Sequence, residues 1–487
     1  MNASILLITF LIYTALLFLI AFLTSRKADN QSYFTGNRKS NWFLVAYGMI
    51  GASLSGVSFM SVPGNVFNEK FYYLPMLLGM IIGYAIIAGV LIPLYYKMNL
   101  TSIYTYLDKR LGNYSYKTGA SFFIISRLLG ASVRTFLVIF VLYNFVLSQV
   151  GVPFWLAAAV FVILAILYTL KGGVKTIIWT DMMQTTFMIV AIVVSVIYIC
   201  VDLGWNFTDM IANVYNSSYS DMFNTDSAAA SNWIKRFLSG VLIPIAMTGL
   251  DQAMMQKSLS CKNIRESQKN VMTSITMMIP INLLFLTLGA ILAIYMKEHP
   301  ELLTLVTNAS GNVEADKIFP TVAFSLRTVV GVIFFVGLIS AAYPTCANAL
   351  TSLTTSTCID LVGMEKKSWT NEKKKQVRQI VTAVMAILFA LLIIMFNVIK
   401  NDAVINMVYQ IAAYTYGPLL GLFMFGILTK AAVYDKAVPY ICVAAPLFCF
   451  VIEKYVFSFG FSLIAVCAAL TFLGLLLFKR SAKTEIA

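Results

Sequence analysis

Charged and titratable side chains are scarce in this chain of 487 residues. Asp, Glu, Lys and Arg make up 11% of it, histidine occurs once, and the 7 cysteines show no paired or metal-binding spacing. An enzyme within a membrane needs His, Cys, Asp or Glu side chains that converge on one point, so this composition argues against an enzyme. No polar stretch is long enough for a soluble catalytic domain.

Long apolar runs take the place of the missing charges. Hydrophobic residues make up 60% of the chain, and many runs reach the roughly 20 residues that cross about 30 Å of hydrocarbon. The first run, residues 5–23, is too long for a signal peptide and follows no basic segment, so we expect a retained span. The sequence predicts an all-α integral membrane protein in the lipid bilayer. We expect about thirteen transmembrane helices, near 5–25, 41–67, 72–96, 117–149, 153–170, 176–203, 233–256, 270–296, 328–358, 375–398, 402–428, 437–457 and 459–478.

The net charge of +14 would indicate nucleic-acid binding in a soluble protein, but its distribution indicates membrane topology instead. With the N-terminus outside, most of the 35 lysines and arginines fall in cytoplasmic loops, and the C-terminus is cytoplasmic. The loop 204–232 contains neither Lys nor Arg, as an external loop should. We therefore expect a multi-pass protein of a cell inner membrane, with no nucleic-acid partner.

The predicted spans two to six and seven to eleven form two sets of five with opposite orientation, a 5+5 inverted repeat. Each set begins with an interrupted span, around Gly51, Gly56 and Pro63 in the first and around Pro244 and Gly249 in the second. Matched interruptions point to a transporter's binding site at the middle of the membrane, although two ordinary kinks would give the same pattern. We predict a first span with a cytoplasmic loop (1–40), inverted repeat 1 (41–203), an external loop (204–232), inverted repeat 2 (233–428), and two C-terminal spans with a cytoplasmic tail (429–487).

The stretch GASLSGVSFMSVPG, residues 51–64, contains residues that loosen a helix. An unwound turn leaves backbone carbonyls without partners, which a membrane protein tolerates only beside buried protein or a water-filled cavity. The carbonyls near Gly51 and Leu54 are therefore candidate ligands for a small cation, and Ser53 and Ser55, with Ser58, would face a solute. Close helix packing by small residues is the alternative explanation.

Two further segments add polar groups to the predicted spans. Residues 337–361 carry hydroxyl and amide side chains, including those of Thr345 and Asn348, at helical spacing, so one face would complete an oxygen cage for sodium. Asp181 lies about 8 Å inside the predicted end of span six. An ionisable residue at that depth indicates a functional site, and an interfacial carboxylate is the alternative.

Arg127 and Arg134 are seven residues apart and share one face of span four. Arginine is too costly in lipid to face outward, so both side chains should point into the helix bundle. They would bind a substrate carboxylate with bidentate geometry, or they would brace helix ends. A substrate role would favour an organic anion.

Six segments in order resemble signatures of the sodium:solute symporter family, and together they cover nearly the whole chain. The resemblance implies the leucine-transporter type of inverted repeat, alternating access, and coupling to sodium ions. The segments are YFTGNRKSNW (33–42), GASLSGVSFMSVPG (51–64), TYLDKRLG (105–112), GGVKTIIWTD (172–181), DQAMMQKSLS (251–260) and GLISAAYPT (337–345).

The resemblance also implies sodium ligands. The main site would take the carbonyls of Gly51, Leu54 and Ala341 together with hydroxyls at positions 344 and 345. Thr345 keeps its hydroxyl, but the serine usual at position 344 is Pro344 here. The loss of one hydroxyl would weaken this site.

A second sodium site in some relatives resembles Asp181 with hydroxyls around positions 345, 347 and 348. The last two positions are Ala347 and Asn348 in this chain. A second site would therefore need the amide oxygen of Asn348.

The substrate prediction rests on the second and seventh spans. LSGVSFMSVPG resembles the sialic-acid and monocarboxylate branches, whereas the sugar branch has polar residues where this chain has Val57, Ser58, Pro244 and Met247. The candidate substrate-binding residues are Ser53, Ser55, Ser58, Phe59, Arg127, Arg134 and Thr248.

We therefore predict a sodium-coupled symporter that imports a small organic solute, an organic anion such as sialic acid or a monocarboxylate, and that functions as a monomer. The alternatives are a sugar or amino-acid symporter driven by sodium, or by protons through Asp181, and a channel or sensor on the same fold without transport.

Overall fold

The computed structural model describes residues 3–25, 38–145, 147–169, 173–227, 229–308, 311–399, 404–456 and 459–480. Most of the predicted loop after the first span and the end of the predicted cytoplasmic tail lie outside these residues. The described chain is helical except for one antiparallel pair of two-residue strands, β1 (Ala432–Val433) and β2 (Lys479–Arg480).

The helices follow the predicted spans closely. The first half contains α1 (Ala3–Ser25), α2 (Trp42–Ser53), α3 (Gly56–Glu69), α4 (Leu74–Lys97), α5 (Thr105–Arg110), α6 (Asn113–Phe145), α7 (Phe154–Thr169), α8 (Gly173–Asp202) and α9 (Phe207–Asn216). The second half contains α10 (Trp233–Gly249), α11 (Gln252–Ser258), α12 (Ile264–Glu298), α13 (Pro300–Val306), α14 (Ala315–Ser325), α15 (Thr328–Leu361), α16 (Asn371–Ile399), α17 (Val404–Leu428), α18 (Val438–Tyr455) and α19 (Leu463–Leu477).

Within the described residues, 9 helices are long and apolar enough to cross a membrane, and two bent helix pairs raise the number to 11. The prediction of a helical multi-pass membrane protein is confirmed at this level. Two shorter apolar helices, α7 and α19, lie where the fifth and thirteenth spans were predicted. The count of thirteen stays a prediction.

The first bent pair is α2 and α3, which meet at an angle of 60°. Asn41 starts α2 by accepting hydrogen bonds from the amides of Phe43 and Leu44. The helix ends before Leu54 and Ser55, which both adopt extended backbone conformations. The interruption therefore falls inside the predicted region, whereas Pro63 lies within α3 and does not break it.

The second bent pair is α10 and α11, which meet at 73°. A π-helical turn over Ile245–Gly249 follows Pro244 and ends α10. The break itself lies at Leu250 and Asp251, and the Asp251 carboxylate caps α11 by accepting a hydrogen bond from the Met254 amide. Each bent pair thus opens one of the predicted halves.

The helices around the two breaks form the centre of the bundle. The most hydrophobic stretch of α15 is 78% buried, whereas the corresponding stretches of α1 and α18 are 28% and 22% buried. α15 packs against α8 and α6, and α2 packs against α8. The residues at the two breaks, Leu54, Ser55, Leu250 and Asp251, are buried in protein, while α1 and α18 expose apolar side chains on the outside of the bundle.

A tight contact between α3 and α14 generates a stability prediction. A Cβ atom on Gly64 would lie 1.9 Å from the backbone oxygen of Ala315, whereas a Cβ on Gly89 would meet nothing within 4 Å. Gly64→Ala should therefore lower the stability of the protein by about 1 to 3 kcal/mol, because the backbone of α14 must move. The apparent melting temperature in detergent measures this effect. Gly89→Ala is the matched control, and equal melting temperatures for the two variants would contradict the predicted contact.

Candidate functional site

The two bent helix pairs line a common cavity with an empty volume of about 840 Å³. Residues from α2, α3, α4, α6 and α10 line it, and they include most of the predicted substrate-binding set. The predicted residues that line this cavity are Ser53, Ser55, Ser58, Arg127, Arg134 and Thr248. The structure therefore brings together six side chains that are separated by up to 195 positions along the sequence (53 to 248).

The cavity wall is mostly apolar, with hydroxyl groups concentrated near the breaks. Met80, Met247 and Met278 contribute apolar surface. On the polar side, the hydroxyl of Tyr84 faces the hydroxyls of Thr248 and Ser53. An apolar cavity with a few convergent polar groups is typical of a small-molecule binding site.

The two arginines project from α6 toward the cavity, and both also line a smaller adjoining space of about 310 Å³. Arg127 is buried, and its Nη1 lies 3.3 Å from Oδ2 of Asp251. Tyr416 donates a hydrogen bond of 2.6 Å to the same carboxylate oxygen. Asp251 therefore compensates the charge of Arg127 and anchors the second helix break to α6 and α17.

Arg127 keeps a donor for a further ligand. Its Nε is buried and has no hydrogen-bond partner among the residues that the structure describes. An unpartnered guanidinium donor is costly in a buried position, so it favours a ligand with an acceptor oxygen. Arg134 is half-buried and lines both spaces.

Phe59 lies away from this cavity. It is fully buried, and its ring packs against Phe285, Phe319 and Phe334 with ring centroids between 5.3 and 6.3 Å apart. It does not line the cavity with the other predicted residues. The helical rotation explains this placement, because adjacent residues on α3 point about 100° apart and Ser58 already faces the cavity.

The predicted sodium cage involves the first break, α8 and α15. Leu54 is extended (φ −88°, ψ 96°), and within the described residues its carbonyl accepts no backbone hydrogen bond. Gly51 is packed so closely against α8 that a Cβ atom there would lie 2.2 Å from Oγ1 of Thr185. Thr185 in turn donates a hydrogen bond of 2.7 Å to the carbonyl of Asp181.

The α15 part of the predicted cage lies around a proline. Oγ1 of Thr345 donates a hydrogen bond of 3.2 Å to the carbonyl of Ala341. Pro344 lies within α15 and has no amide hydrogen, so the carbonyl four residues earlier, that of Ser340, loses its usual helical donor. α15 packs against α2, which places both parts of the predicted cage on neighbouring helices.

Asp181 on α8 is fully buried and contacts both α11 and α15. Its Oδ2 accepts a hydrogen bond from the ammonium of Lys257 on α11 and one of 3.3 Å from Nδ2 of Asn348 on α15. Both groups that contact this oxygen are donors. The predicted second sodium site therefore has a lysine ammonium beside its carboxylate.

Sequence reasoning did not assign Asp251, Lys257 or Tyr84 to the site. Asp251 and Lys257 lie in DQAMMQKSLS, the segment that follows the predicted interruption of span seven. Two ionisable residues next to a broken span are a signal that would have identified them. Tyr84 gives no such signal, because tyrosine is common in the predicted spans.

Comparisons with known proteins identify relatives of this chain. The sodium:solute symporter family model matches residues 33–437. The sodium/sialic acid symporter NanT of Aliivibrio fischeri is 23% identical over 424 residues, which cover 85% of this chain and 80% of that protein. The sodium/sialic acid symporter SiaT of Proteus mirabilis is 22% identical over 435 residues, covering 87% and 84%. The solved structure of a substrate-bound, outward-open Na⁺-coupled sialic acid symporter has the same fold, with a TM-score of 0.83, 21% identity and 97% coverage of both chains.

The buried pair of Arg127 and Asp251 generates a second prediction. Asp251→Ala would leave the guanidinium without its carboxylate, and breaking a buried pair in this way costs about 3 to 5 kcal/mol. We expect a lower apparent melting temperature in detergent. Glu372→Ala, which changes an exposed carboxylate on α16, is the control. If the Asp251 variant has the same apparent melting temperature as this control, the pair contributes little to stability.

Proposed function

The chain belongs to the sodium:solute symporter family, and we propose that it is a sodium-coupled symporter that imports an organic anion by alternating access. The observation that carries this proposal is the convergence of Arg127 and Arg134 with the hydroxyls of Ser53, Ser55 and Thr248 on one cavity between the two helix breaks. Positive charge and hydroxyl groups together suit a solute with one carboxylate and several polar groups.

The arginines supply the affinity for a carboxylate. Guanidinium groups bind carboxylates with two parallel hydrogen bonds, which gives both strength and orientation. The free Nε of Arg127 supports this role, because a carboxylate oxygen would satisfy a buried donor. The two relatives named above are sodium/sialic acid symporters, and sialic acid or a monocarboxylate has the required chemistry.

Sodium would be held where α2 is broken. Unwound carbonyls coordinate sodium in transporters with discontinuous helices. The carbonyls of Gly51, Leu54 and Ala341 and the hydroxyl of Thr345 are the proposed ligands. Leu54 supports this assignment because its carbonyl accepts no backbone hydrogen bond within the described residues. Pro344 provides no hydroxyl ligand. Because it also leaves the carbonyl of Ser340 without its usual helical donor, this carbonyl would partly replace the missing ligand.

Coupling to sodium makes concentrative import possible. A membrane potential of about 100 mV contributes about 2.3 kcal/mol per charge, and a tenfold sodium gradient contributes about 1.4 kcal/mol. One sodium ion would concentrate a neutral solute several hundredfold. A monoanion that moves with one sodium ion carries no net charge, so it would gain only the roughly tenfold contribution of the gradient.

The architecture that accompanies this function is also a proposal. We expect thirteen spans, with inverted repeats over 41–203 and 233–428 that share the cavity at their interface. The protein would lie in a cell inner membrane. Its N-terminus would lie outside and its C-terminus in the cytoplasm. Each protein would transport as a monomer, because one chain contains the whole cavity.

Binding by the purified protein tests the proposed function. Sialic acid, short monocarboxylates, galactose and proline would each be titrated in sodium chloride and in choline chloride. We expect an acid to bind, and only in sodium. Binding of galactose or proline in sodium would support the sugar or amino-acid alternative, and binding that ignores sodium would contradict coupling.

A prediction for the arginines follows. Arg127→Gln and Arg134→Gln should each lower uptake of the acid at least roughly thirtyfold, since the loss of a buried charged partner costs about 2 kcal/mol or more. Uptake of the labelled acid into proteoliposomes with a sodium gradient measures this. Arg265→Gln removes an exposed arginine and is the control. Normal uptake by both cavity variants would exclude carboxylate binding by these residues.

A prediction for the sodium cage uses position 345. Thr345→Ala should raise the sodium concentration for half-maximal uptake about tenfold, because one lost oxygen contact of about 1.4 kcal/mol is a tenfold change in affinity. Thr345→Ser keeps the hydroxyl and should leave the sodium dependence close to that of the wild type. An unchanged sodium dependence in the alanine variant would remove Thr345 from the cage.

A further inference from the structure

The buried cluster of Asp181, Lys257 and Asn348 joins α8, α11 and α15 beside the first helix break. The side chains of Lys257 and Asp181 are 3% and 1% exposed, so this ion pair is isolated from solvent. Asp181 also lies against α2, because a Cβ atom on Gly48 would come within 3.3 Å of its Cβ. The pair therefore occupies the position that the family resemblance of the sequence implies for a second sodium ion.

The groups around Asp181 do not fit a sodium ion in this structure. A hard cation needs several oxygen ligands, and Oδ2 of Asp181 instead contacts an ammonium and the amide nitrogen of Asn348. Ala347, the preceding residue on α15, has no side-chain oxygen. A cation that approached this oxygen would meet the ammonium of Lys257 and the amide hydrogens of Asn348.

Lys257 is held in place by the short helix that carries it. Its own carbonyl accepts hydrogen bonds from Oγ of Ser260, at 2.6 Å, and from the backbone amide of Ser260, at 3.1 Å. The preceding residue, Gln256, donates to Oγ1 of Thr355 on α15 at 3.2 Å. Ser258 accepts a hydrogen bond of 3.1 Å from Asn270 on α12. Hydrogen bonds on either side of the lysine thus attach α11 to α12 and α15.

We propose that the ammonium of Lys257 is a tethered cation that takes the second cation position beside Asp181, so that the protein binds one sodium ion. This inference rests on the proposed function, because it assigns the stoichiometry of the same carrier. The attached cation neutralises the carboxylate without being transported. A sodium ion could bind Asp181 only by displacing Lys257. The displacement would leave the buried ammonium without a counter-charge.

The other polar groups at this position explain what would follow if Lys257 were removed. Oδ1 of Asp181 and both amide atoms of Gln184, one turn further along α8, are buried without a hydrogen-bond partner among the described residues. The amide of Asn348 has an oxygen as well as a nitrogen and can rotate to present it. Without the ammonium, up to four oxygen atoms, two from Asp181 and one each from Asn348 and Gln184, would be available to a sodium ion.

Equilibrium binding of ²²Na⁺ to the purified full-length protein tests this inference without a known substrate. The wild type should bind one sodium ion per protein with a hyperbolic isotherm. Lys257→Ala removes the charge and leaves space, so it should bind two. The double variant Asp181→Asn/Lys257→Ala lacks the carboxylate and should return to one. Lys262→Ala changes an exposed lysine five residues further on and should also bind one.

The outcomes separate the inference from the proposed function. Two ions bound by the wild type would overturn the inference, whatever the variants do. If the Lys257→Ala variant elutes as a monodisperse protein and still binds only one sodium ion, the inference is overturned as well. Binding of no sodium by the wild type would instead overturn the sodium cage of the proposed function.

Discussion

A backbone carbonyl or amide in hydrocarbon needs a partner within the protein, and this requirement determines where the helices can break. α2 ends beside α8 and α15, and α10 ends beside α4, so neither helix ends where lipid would contact the exposed backbone. The same enclosure that makes the breaks possible also creates the cavity between them. The carbonyl of Leu54, which accepts no backbone hydrogen bond from any residue that the structure describes, and the capped start of α11 at Asp251 are two outcomes of this constraint.

Two buried ion pairs connect the helix after the second break to the long helices around it. Asp251 caps the start of α11 and Lys257 lies near its end, and these residues pair with Arg127 on α6 and Asp181 on α8. One short helix therefore neutralises a cation and an anion on two different long helices. Any movement of α11 relative to the bundle would expose buried charges in pairs, so both ion pairs favour a defined position of this helix.

Most of the predicted residues that line the cavity could be found from the sequence because they are unusual in their context. Serines in an apolar span, and arginines seven residues apart on one helix, are expensive unless they face a polar interior. Ser53, Ser55, Arg127 and Arg134 line the cavity for that reason. The position of Phe59 outside the cavity could not be predicted in this way, because aromatic residues occur both in cavity walls and in apolar clusters.

By itself the sequence determined the helical membrane class, the positions of most of the spans and the two interruptions, because hydrophobicity and helix-breaking residues act locally. Only the tertiary structure decided the partners of the buried charges. Asp181 and Lys257 are 76 positions apart, and a carboxylate in a span is compatible with a sodium ion, a proton or an ammonium until its neighbours are known. Packing of α8, α11 and α15 makes that choice, because it brings a fixed cation to the carboxylate across distances that no local pattern encodes.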